Sequence, residues 1–585
     1  MKRKYNKAYF TYYMFMGQYV PAIISAIVFA LADMADALVV GNNMGTLGLA
    51  AISFALPVFM VYNVIMHSLG TGGSISFSKK MTGGKEEEAV RYFQGVFYTL
   101  LISGILIAVL GNVLLNPLLI VLGASPSNPE LFEATGLYLR YIFAAAPFFF
   151  MSYGLGYYMR NDDLEKEASF SFSVGNVLDL ILNILLVIVF RMGVMGAAIA
   201  TLTGVFVSSF LSLILIHSRR SRLMVLPARP RFNEVAANMK YGLSSCVSYI
   251  YSMIFLLIGN NALMRLAGEN GVAVFDVVQN MSYLAGYVFG AVSQASQPVI
   301  STYEGECNYE ECDNTLRLAM LTTLISSVVL VVIMAVFPGV ICHMFGLDSA
   351  ESIMLGSHAI RIFSIGVLFE GISLLYSNYY LSRSMSAPSF LISTLRGMVI
   401  LIPVSLVCVF FGEKAFWLTY PVTEFITLMV FTVYVKCFFR QRKRVEAERI
   451  YSRTLHNDLG EISPAVEEIE SFCEKWEAAP KQQYYVQMTV EEMCGAIIEK
   501  GFTGNNADRG NIQLTLVAMD DNEFSLHVRD NASLFNPFAL EKKGGKEEKD
   551  DSPDFNALGM DVIKQKAKSF YYRRYQGFNT MVVRI

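Results

Sequence analysis

The chain has 585 residues, 54% of them hydrophobic and 16% charged, with a formal net charge of -3 and a pI near 6.2, so it lacks the basic footprint of a nucleic-acid-binding protein. Its charge is unevenly spread, with 38 of the 95 charged side chains in residues 451–585 and 57 in the first 450. A soluble enzyme is excluded for the first part, because apolar runs there repeatedly reach the roughly 20 residues that a helix needs to cross a bilayer.

The start, MKRKYNKAYF, is basic, but the apolar stretch after it ends in DMADALVVGNN rather than at a small-residue cleavage site, so it reads as a retained first span. Apolar runs between polar breaks predict twelve helices, near residues 15–40, 46–78, 91–115, 136–159, 168–190, 194–216, 241–267, 271–301, 316–341, 353–381, 389–411 and 414–438. Lys and Arg collect in MKRK, KKMTGGKEEEAVR, RNDDLEK, HSRRSRLMVLPARPR, the SR of LSRSM and KCFFRQRKR. By the positive-inside rule both termini of this multi-pass protein are cytoplasmic.

The longest polar break, residues 217–240, divides the helices six and six, and the second helix of each half runs into a polar loop, SKKMTGGKEEEAVRYF or STYEGECNYEECDNTLR. A weak internal repeat of this kind marks many secondary transporters, whose sites lie between or within the halves. The competing reading is a helical scaffold without transport. The expected division is 1–220 and 221–440 for two six-helix lobes, 441–451 for a basic linker, and 452–585 for a cytoplasmic domain.

That last part changes character. It reads as a strand in RTLHNDLG, helices in ISPAVEEIESFCEKWEA and YVQMTVEEMCGAIIEKGF, strands in IQLTLVAMD and EFSLHVRD, a charged loop EKKGGKEEKDDSP, then a helix in ALGMDVIKQKA and a strand in MVVRI, an α+β pattern. The eight cysteines form no C-x-x-C pair and outline no disulfide or zinc framework.

Ionisable side chains inside spans cost roughly 2.5 to 3.5 kcal/mol each, so they are functional candidates. Asp33 and Asp36 share a face of the first helix, and Asp179 and Asn183 a face of the fifth. In the second half the candidates are Asp276 with Asn280, Glu370 and Glu424. The alternative for each is a wet helix end or a local hydrogen bond.

DALVVGNNMGTLGLAAISFALPV resembles the D-x-x-F-V-G…G-x-x-A-L-A-A…P pattern of the multidrug and toxic compound extrusion (MATE) transporters, and LYLRYIFAAAPFFFM, FRMGVMGAAIATLTG, SQASQPVISTYEG, STLRGMVILIPVSL and FWLTYPVTEFIT resemble further signatures of that family, in order over residues 15–438. The resemblance implies an all-α fold of two six-helix lobes and a cation site that falls on Asp36, on Asp179 and Asn183, and on Thr201. The family's N-x-x-x-D pair is reversed here to D-x-x-x-N. Two carboxylates, an amide and a hydroxyl suit Na⁺ or a shared proton as coupling ion. The implied activity is antiport of small amphipathic or cationic compounds by alternating access, with Tyr62, Asn63, Tyr153, Tyr157, Tyr283 and Tyr287 as candidates to line the pathway and His67 as a packed histidine. Two other readings stand beside it: a flippase of lipid-linked or amphipathic cargo, and a membrane sensor.

In the tail, VEEMCGAIIEKGF, VRDNASLFNP and ALGMDVI resemble, in order, three motifs of the anti-sigma-factor kinase branch of GHKL ATPases. Glu492, Asp530 and Gly559 match positions that in the family activate the nucleophile, bind adenine and let backbone approach phosphate. The family's magnesium-binding asparagine falls on Ala496, and two of its glycines fall on Ala532 and Leu534. Without a magnesium ligand the charge developing on a transferred phosphoryl group is poorly neutralised, so the resemblance implies a fold kept for binding a regulatory protein or a nucleotide rather than for turnover.

Overall fold

A computed structural model describes residues 9–82, 86–161, 164–218, 223, 232–383, 385–437, 446–502, 510–519, 523–539, 555–575 and 578–585. The first three quarters is helical. In chain order the elements are α1 (Tyr9–Thr82), α2 (Glu86–Val113), α3 (Leu115–Leu122), α4 (Pro129–Asn161), α5 (Glu165–Asn183), α6 (Gly193–Ser218), α7 (Phe232–Gly305), α8 (Tyr309–Val336), α9 (Pro338–Met344), α10 (Ala350–Ser382), α11 (Ser386–Thr394), α12 (Leu401–Phe410), α13 (Glu413–Phe416) and α14 (Thr419–Cys437). Among the described residues ten helical stretches are long and apolar enough to cross a membrane, and Leu, Ile, Val and Phe side chains stand exposed along their outer faces, as lipid-facing helices require.

Two of the breaks expected from sequence, near residues 41–45 and 268–270, are single-glycine kinks rather than loops. α1 turns at Gly45 (φ 63, ψ -142) and α7 at Gly268 (φ 60, ψ -149), a backbone conformation that glycine adopts without a Cβ penalty. Each 74-residue helix thus consists of two legs. The internal repeat extends further. α2 ends in the short helix α3 and α8 in the short helix α9, while π-helical turns follow α5 at Ile184–Val189 and α11 at Leu395–Val399.

The halves touch at the tail end, where Thr11 donates to Tyr303 (3.1 Å), and again around the two kinks. Thr46 donates to Glu269 (2.8 Å), Asn128 donates to the same carboxylate (3.3 Å), and Ser53 and Asn260 exchange hydrogen bonds of 3.0 and 2.9 Å. Nearby, backbone meets backbone: a Cβ on Gly346 (φ 77) would stand 1.9 Å from the Gly41 carbonyl oxygen.

The tail is an antiparallel sheet in the order β1 (Ile450–His456), β2 (Asn511–Ala518), β3 (Phe524–Asp530), β5 (Phe578–Arg584), β4 (Ser569–Tyr575). Leu514, Leu516, Leu526 and Val528 point to one face and pack with α15 (Ile462–Lys475), α16 (Pro480–Ala496) and α17 (Phe555–Lys566). β4, in KSFYYRRY, was not anticipated, because its alternation is weak and ends in paired arginines. The charged loop read in 541–553 lies outside the described residues.

The opposite face of the sheet is polar, yet Gln513, Thr515 and Arg529 on it are buried. It rests on the helical body. Arg529 pairs with Glu306 at the end of α7, its guanidinium lies 4.9 Å from the Tyr303 ring centroid, Asn308 donates to Thr515 (3.4 Å), and Phe578 meets Phe10 edge to face at 5.4 Å. Since α1 begins and α7 ends at the tail, the Gly45 and Gly268 kinks lie at the far end of the bundle.

Replacing Gly346 by Val should force the far-end contact apart. A cysteine placed at buried Ser53, in a background with the native cysteines replaced, should then react several-fold faster with an impermeant maleimide. Gly339→Val, where a Cβ meets nothing within 4 Å, should leave the rate unchanged.

Candidate functional site

Side chains from α1, α4, α5, α6 and α7 enclose a cavity of about 730 Å³ between the two halves. Asp36, Asp179, Thr201, Asn63, Tyr153, Asp276, Asn280, Tyr283 and Tyr287 line it, with Tyr138, His67 and Tyr249. Among its described lining residues there is no Lys or Arg, so its charged groups are acidic.

One wall is held together by Asp36. Its two oxygens accept hydrogen bonds from the Asn183 amide and from the Thr201 hydroxyl (3.2 Å), which also reaches the Ala197 carbonyl (3.2 Å). Asp179, one turn before Asn183 on α5, faces the same hydroxyl. α5 comes this close to α6 because Gly204 has no side chain: a Cβ there would lie 2.8 Å from Asp179 Cβ and 2.8 Å from the Gly175 carbonyl oxygen. One Asp179 oxygen and the Asn183 amide oxygen are buried without a donor among the described residues. The arrangement offers oxygen atoms from two carboxylates, an amide and a hydroxyl, a set that takes a hard cation or a proton. Asn183 abuts the π-turn at 184–189, a local widening common at functional positions.

Other sequence candidates fall elsewhere. Tyr62 is fully buried away from the cavity, donating to the Ile142 carbonyl (3.0 Å) among Phe59, Phe149 and Phe150, because its position on the second leg of α1 faces α4. Its expected place in the pathway is therefore corrected to core packing. Tyr157 is hydrogen-bonded to His67 Nδ1 (2.7 Å) and does not itself line the cavity. His67 is also hydrogen-bonded to Tyr249 (2.9 Å) and stacks on its ring at 4.7 Å, so it links α1 to α7 across the halves. The Asp33 side chain lies outside the described residues.

Glu370 and Glu424 are bound to Arg396, at 2.7 and 2.6 Å, away from the cavity. Arg396 was overlooked in the sequence because a single arginine in STLRGMVILIPVSL is masked by the apolar run around it, and it sits within the second π-turn. Each carboxylate accepts one N–H of the shared guanidinium, and removing one partner of such a buried group costs on the order of 3 kcal/mol. Its geometry is that of a strut between α10, α11 and α14.

In the tail, Asp530 at the end of β3 accepts from the Ala532 amide and from Asn579, both at 2.8 Å. Burial, only partly offset by these bonds, raises its carboxyl to about 7. Glu492 lies against Gly559, where a Cβ would stand 2.2 Å from its carboxyl carbon, and burial raises its pKa too, with Glu491 and Glu499 adding to it. The structure thus brings Glu492 and Gly559 together, with Asp530 on the neighbouring sheet. Ala496 and Ala532 are buried apolar groups and Leu534 is exposed.

Asp530 and His527 should give the tail opposing pH dependences. Burial lowers His527 to about 4, helped by Arg529 and Arg584. A raised carboxyl loses its stabilising share as pH climbs from about 4 to about 7, whereas a depressed histidine loses its share as pH falls from about 6.5 to about 4. The two should nearly cancel in the wild type. Protease resistance of the tail in the full-length protein should rise with pH over this window in Asp530→Asn and fall with pH in His527→Gln.

Comparison with known proteins agrees with this architecture. The MatE family model matches residues 21–185 and 242–407, and the model described as histidine kinase-like ATPase domain matches residues 455–585. The "Probable multidrug resistance protein YoeA" of Bacillus subtilis is 21% identical over 445 residues, covering 72% of this chain and 93% of its own. The "FAD transporter" of Shewanella oneidensis is 22% identical over 400 residues, covering 66% of this chain and 86% of its own. Among solved structures, an inward-facing multidrug resistance MATE family transporter of the MOP superfamily superposes with a TM-score of 0.63 at 20% identity, over 71% of this chain and 97% of its own.

Proposed function

Because the chain belongs to the MatE family, and is accordingly a multi-pass membrane protein, we propose that it is an antiporter that exports small amphipathic or cationic organic compounds by alternating access, driven by inward movement of H⁺ or Na⁺. The observation that carries this reading is the acidic cavity between the halves, with Asp36 and Asp179 sharing one wall. An empty pair of ionised carboxylates in a low dielectric is costly, and a cation or a proton relieves it. Loading that pair from one side favours one arrangement of the helices around it, and cargo bound from the other side favours the alternative. A dianionic cargo would meet three carboxylates and no lining Lys or Arg among the described residues, so cations are the better match.

Counting each kinked helix as two legs gives twelve crossings in two six-helix lobes, residues 1–220 and 221–440, a basic linker at 441–451 and a cytoplasmic domain at 452–585. Both termini then lie on the cytoplasmic side of the plasma (inner) membrane, and the kinks lie on the outer side. In that orientation the hydrogen-bonded cluster of Thr46, Asn128 and Glu269 closes the cavity outward.

Full-length protein in proteoliposomes should drive tetraphenylphosphonium accumulation when a pH or Na⁺ gradient is imposed. Asp36→Asn should abolish that flux while leaving insertion and thermal stability near wild type, since the amide keeps shape but cannot titrate. Normal flux in Asp36→Asn would sink the assignment.

The tail acts as a regulatory domain without phosphotransfer. Its support is the buried Arg529–Glu306 contact, which ties β3 to the end of α7, a helix that lines the cavity. Arg529 and Asp530 are adjacent on β3 and face opposite sides of the sheet, so a partner that remodels the Asp530 side acts on the strand that holds Glu306. Arg529→Ala should change the initial rate of cargo flux several-fold without abolishing it. The exchange pair Arg529→Glu with Glu306→Arg should return the rate toward wild type, and an unchanged rate in Arg529→Ala would argue against control through this contact.

A further inference from the structure

The cavity has a second acidic wall that the cation site just described does not use. Asp276 lies eight residues beyond the Gly268 kink and Asp36 nine before the Gly45 kink, so at 1.5 Å per residue they sit ~12 and ~14 Å along their helices from the far end. Asp276 is fully buried, yet it lines the cavity. One of its oxygens accepts a hydrogen bond from Asn280 Nδ2 (3.1 Å), and that amide also donates to the Asp276 carbonyl (2.9 Å). Its other oxygen is buried with no donor among the described residues. Tyr138 of α4, fully buried, lies within electrostatic reach of all three aspartates. Tyr283 and Tyr287 follow on the same leg, and His67 and Tyr249 lie nearer the tail. Behind that leg Tyr420 donates to Gln279 (2.9 Å) and has Tyr283 and Glu370 as titratable neighbours, and Arg396 beyond it is already engaged by two glutamates. No cationic side chain therefore reaches Asp276 among the described residues, and an ionised carboxylate left so would be strongly destabilising.

From this geometry we propose that Asp276 is a second proton-binding site on the opposite wall of the cavity, filled in addition to the Asp36–Asp179 site in each transport cycle. The ligand is a proton rather than a metal ion. A calcium ion takes about six oxygens or more, whereas beside Asp276 this wall adds only the Asn280 amide oxygen and neutral hydroxyls to one carboxylate, too little negative charge for a metal ion and enough for a proton. With H⁺ as the ion at the Asp36–Asp179 site the exchange balances: two protons enter, one on each wall, and one monovalent organic cation leaves, so each cycle carries one net positive charge inward, and Na⁺ at that site gives the same charge count. The inference rests on the antiport reading for its transport arm only.

Two measurements on the full-length protein test it. In proteoliposomes with no pH gradient, an inside-negative potential should drive tetraphenylphosphonium extrusion by the wild type. Asp276→Asn, which keeps one proton per cargo cation, should lose that voltage-driven flux while keeping flux driven by a pH gradient, and Asp276→Glu, which restores a titratable group, should recover it. Voltage-insensitive wild-type flux, or voltage-driven flux that persists in Asp276→Asn, overturns the proposal. Without any cargo, the infrared spectrum at neutral pH should contain a protonated-carboxyl stretching band that diminishes in Asp276→Asn and persists in Asp36→Asn. If the wild type moves no cargo, the antiport reading falls and the infrared band alone decides the site. Absence of an Asp276-dependent band overturns it whatever the flux shows.

Discussion

A carboxylate carried into a helical bundle away from water loses its hydration, several kcal/mol that only a proton, a cation or well-placed donors restore. Much of the organisation of this chain follows from how each buried acid is compensated. Asp36 takes an amide and a hydroxyl. Glu370 and Glu424 share one guanidinium, and Glu306 is matched by an arginine from another part of the chain. Among the described acids of the helical body, Asp179, Asp276 and Glu424 each keep a buried oxygen with no hydrogen-bond partner, but only Asp179 and Asp276 open onto the cavity. Glu370 and Glu424 are neutralised by a guanidinium and act as a strut, whereas Asp179 and Asp276 have no cationic partner among the described residues and can take a mobile charge. The presence or absence of a cationic partner separates Glu370 and Glu424 from the cavity acids more cleanly than their shared rarity in apolar helices does.

Close approach of backbone is the second requirement, because helices in lipid gain little from hydrophobic burial against one another and associate by packing and hydrogen bonding. Gly204 brings α5 onto α6 so that Asp179 and Thr201 come together, and Gly346 lets the loop after α9 touch the end of the first leg of α1. The two π-turns serve a related purpose. Each widens a helix beside a polar group, Asn183 in one half and Arg396 in the other, and so turns a side chain inward that regular helical periodicity would place elsewhere. The repeated kinks, short helices and π-turns show the two halves using one set of local devices for different ends, an oxygen-rich acidic wall of the cavity in the first and a salt-bridged strut in the second.

The tail joins the bundle through a sheet face that its sequence presents as hydrophilic. In N-I-Q-L-T-L-V-A the alternate polar residues conform to a solvent-facing surface, yet Gln513 and Thr515 are buried, because the ends of α1 and α7 cover them and Arg529 finds Glu306 there. A polar interface of this kind is compatible with undocking, since each group that it buries is also well solvated in water. A greasy interface would hold the two parts together permanently.

Spans, the half-to-half repeat and the resemblance of the first-helix aspartate to a family motif were readable from the sequence, because hydropathy over about 20 residues and short-range motif spacing are local properties of the chain. The same locality explains the reading of the tail strands and the missing magnesium ligand at Ala496. Contacts between legs far apart in sequence were decided only by the tertiary structure. Tyr62 looked like a pathway residue until its face was seen to point into the core, and Arg396 was hidden by its apolar flanks until two glutamates closed on it. Tyr249 had no signal of its own before His67 was found stacked against it. The sequence records which side chains are costly to bury, but the direction in which a helix turns them depends on kinks, π-turns and glycine contacts that are fixed only when the legs pack together.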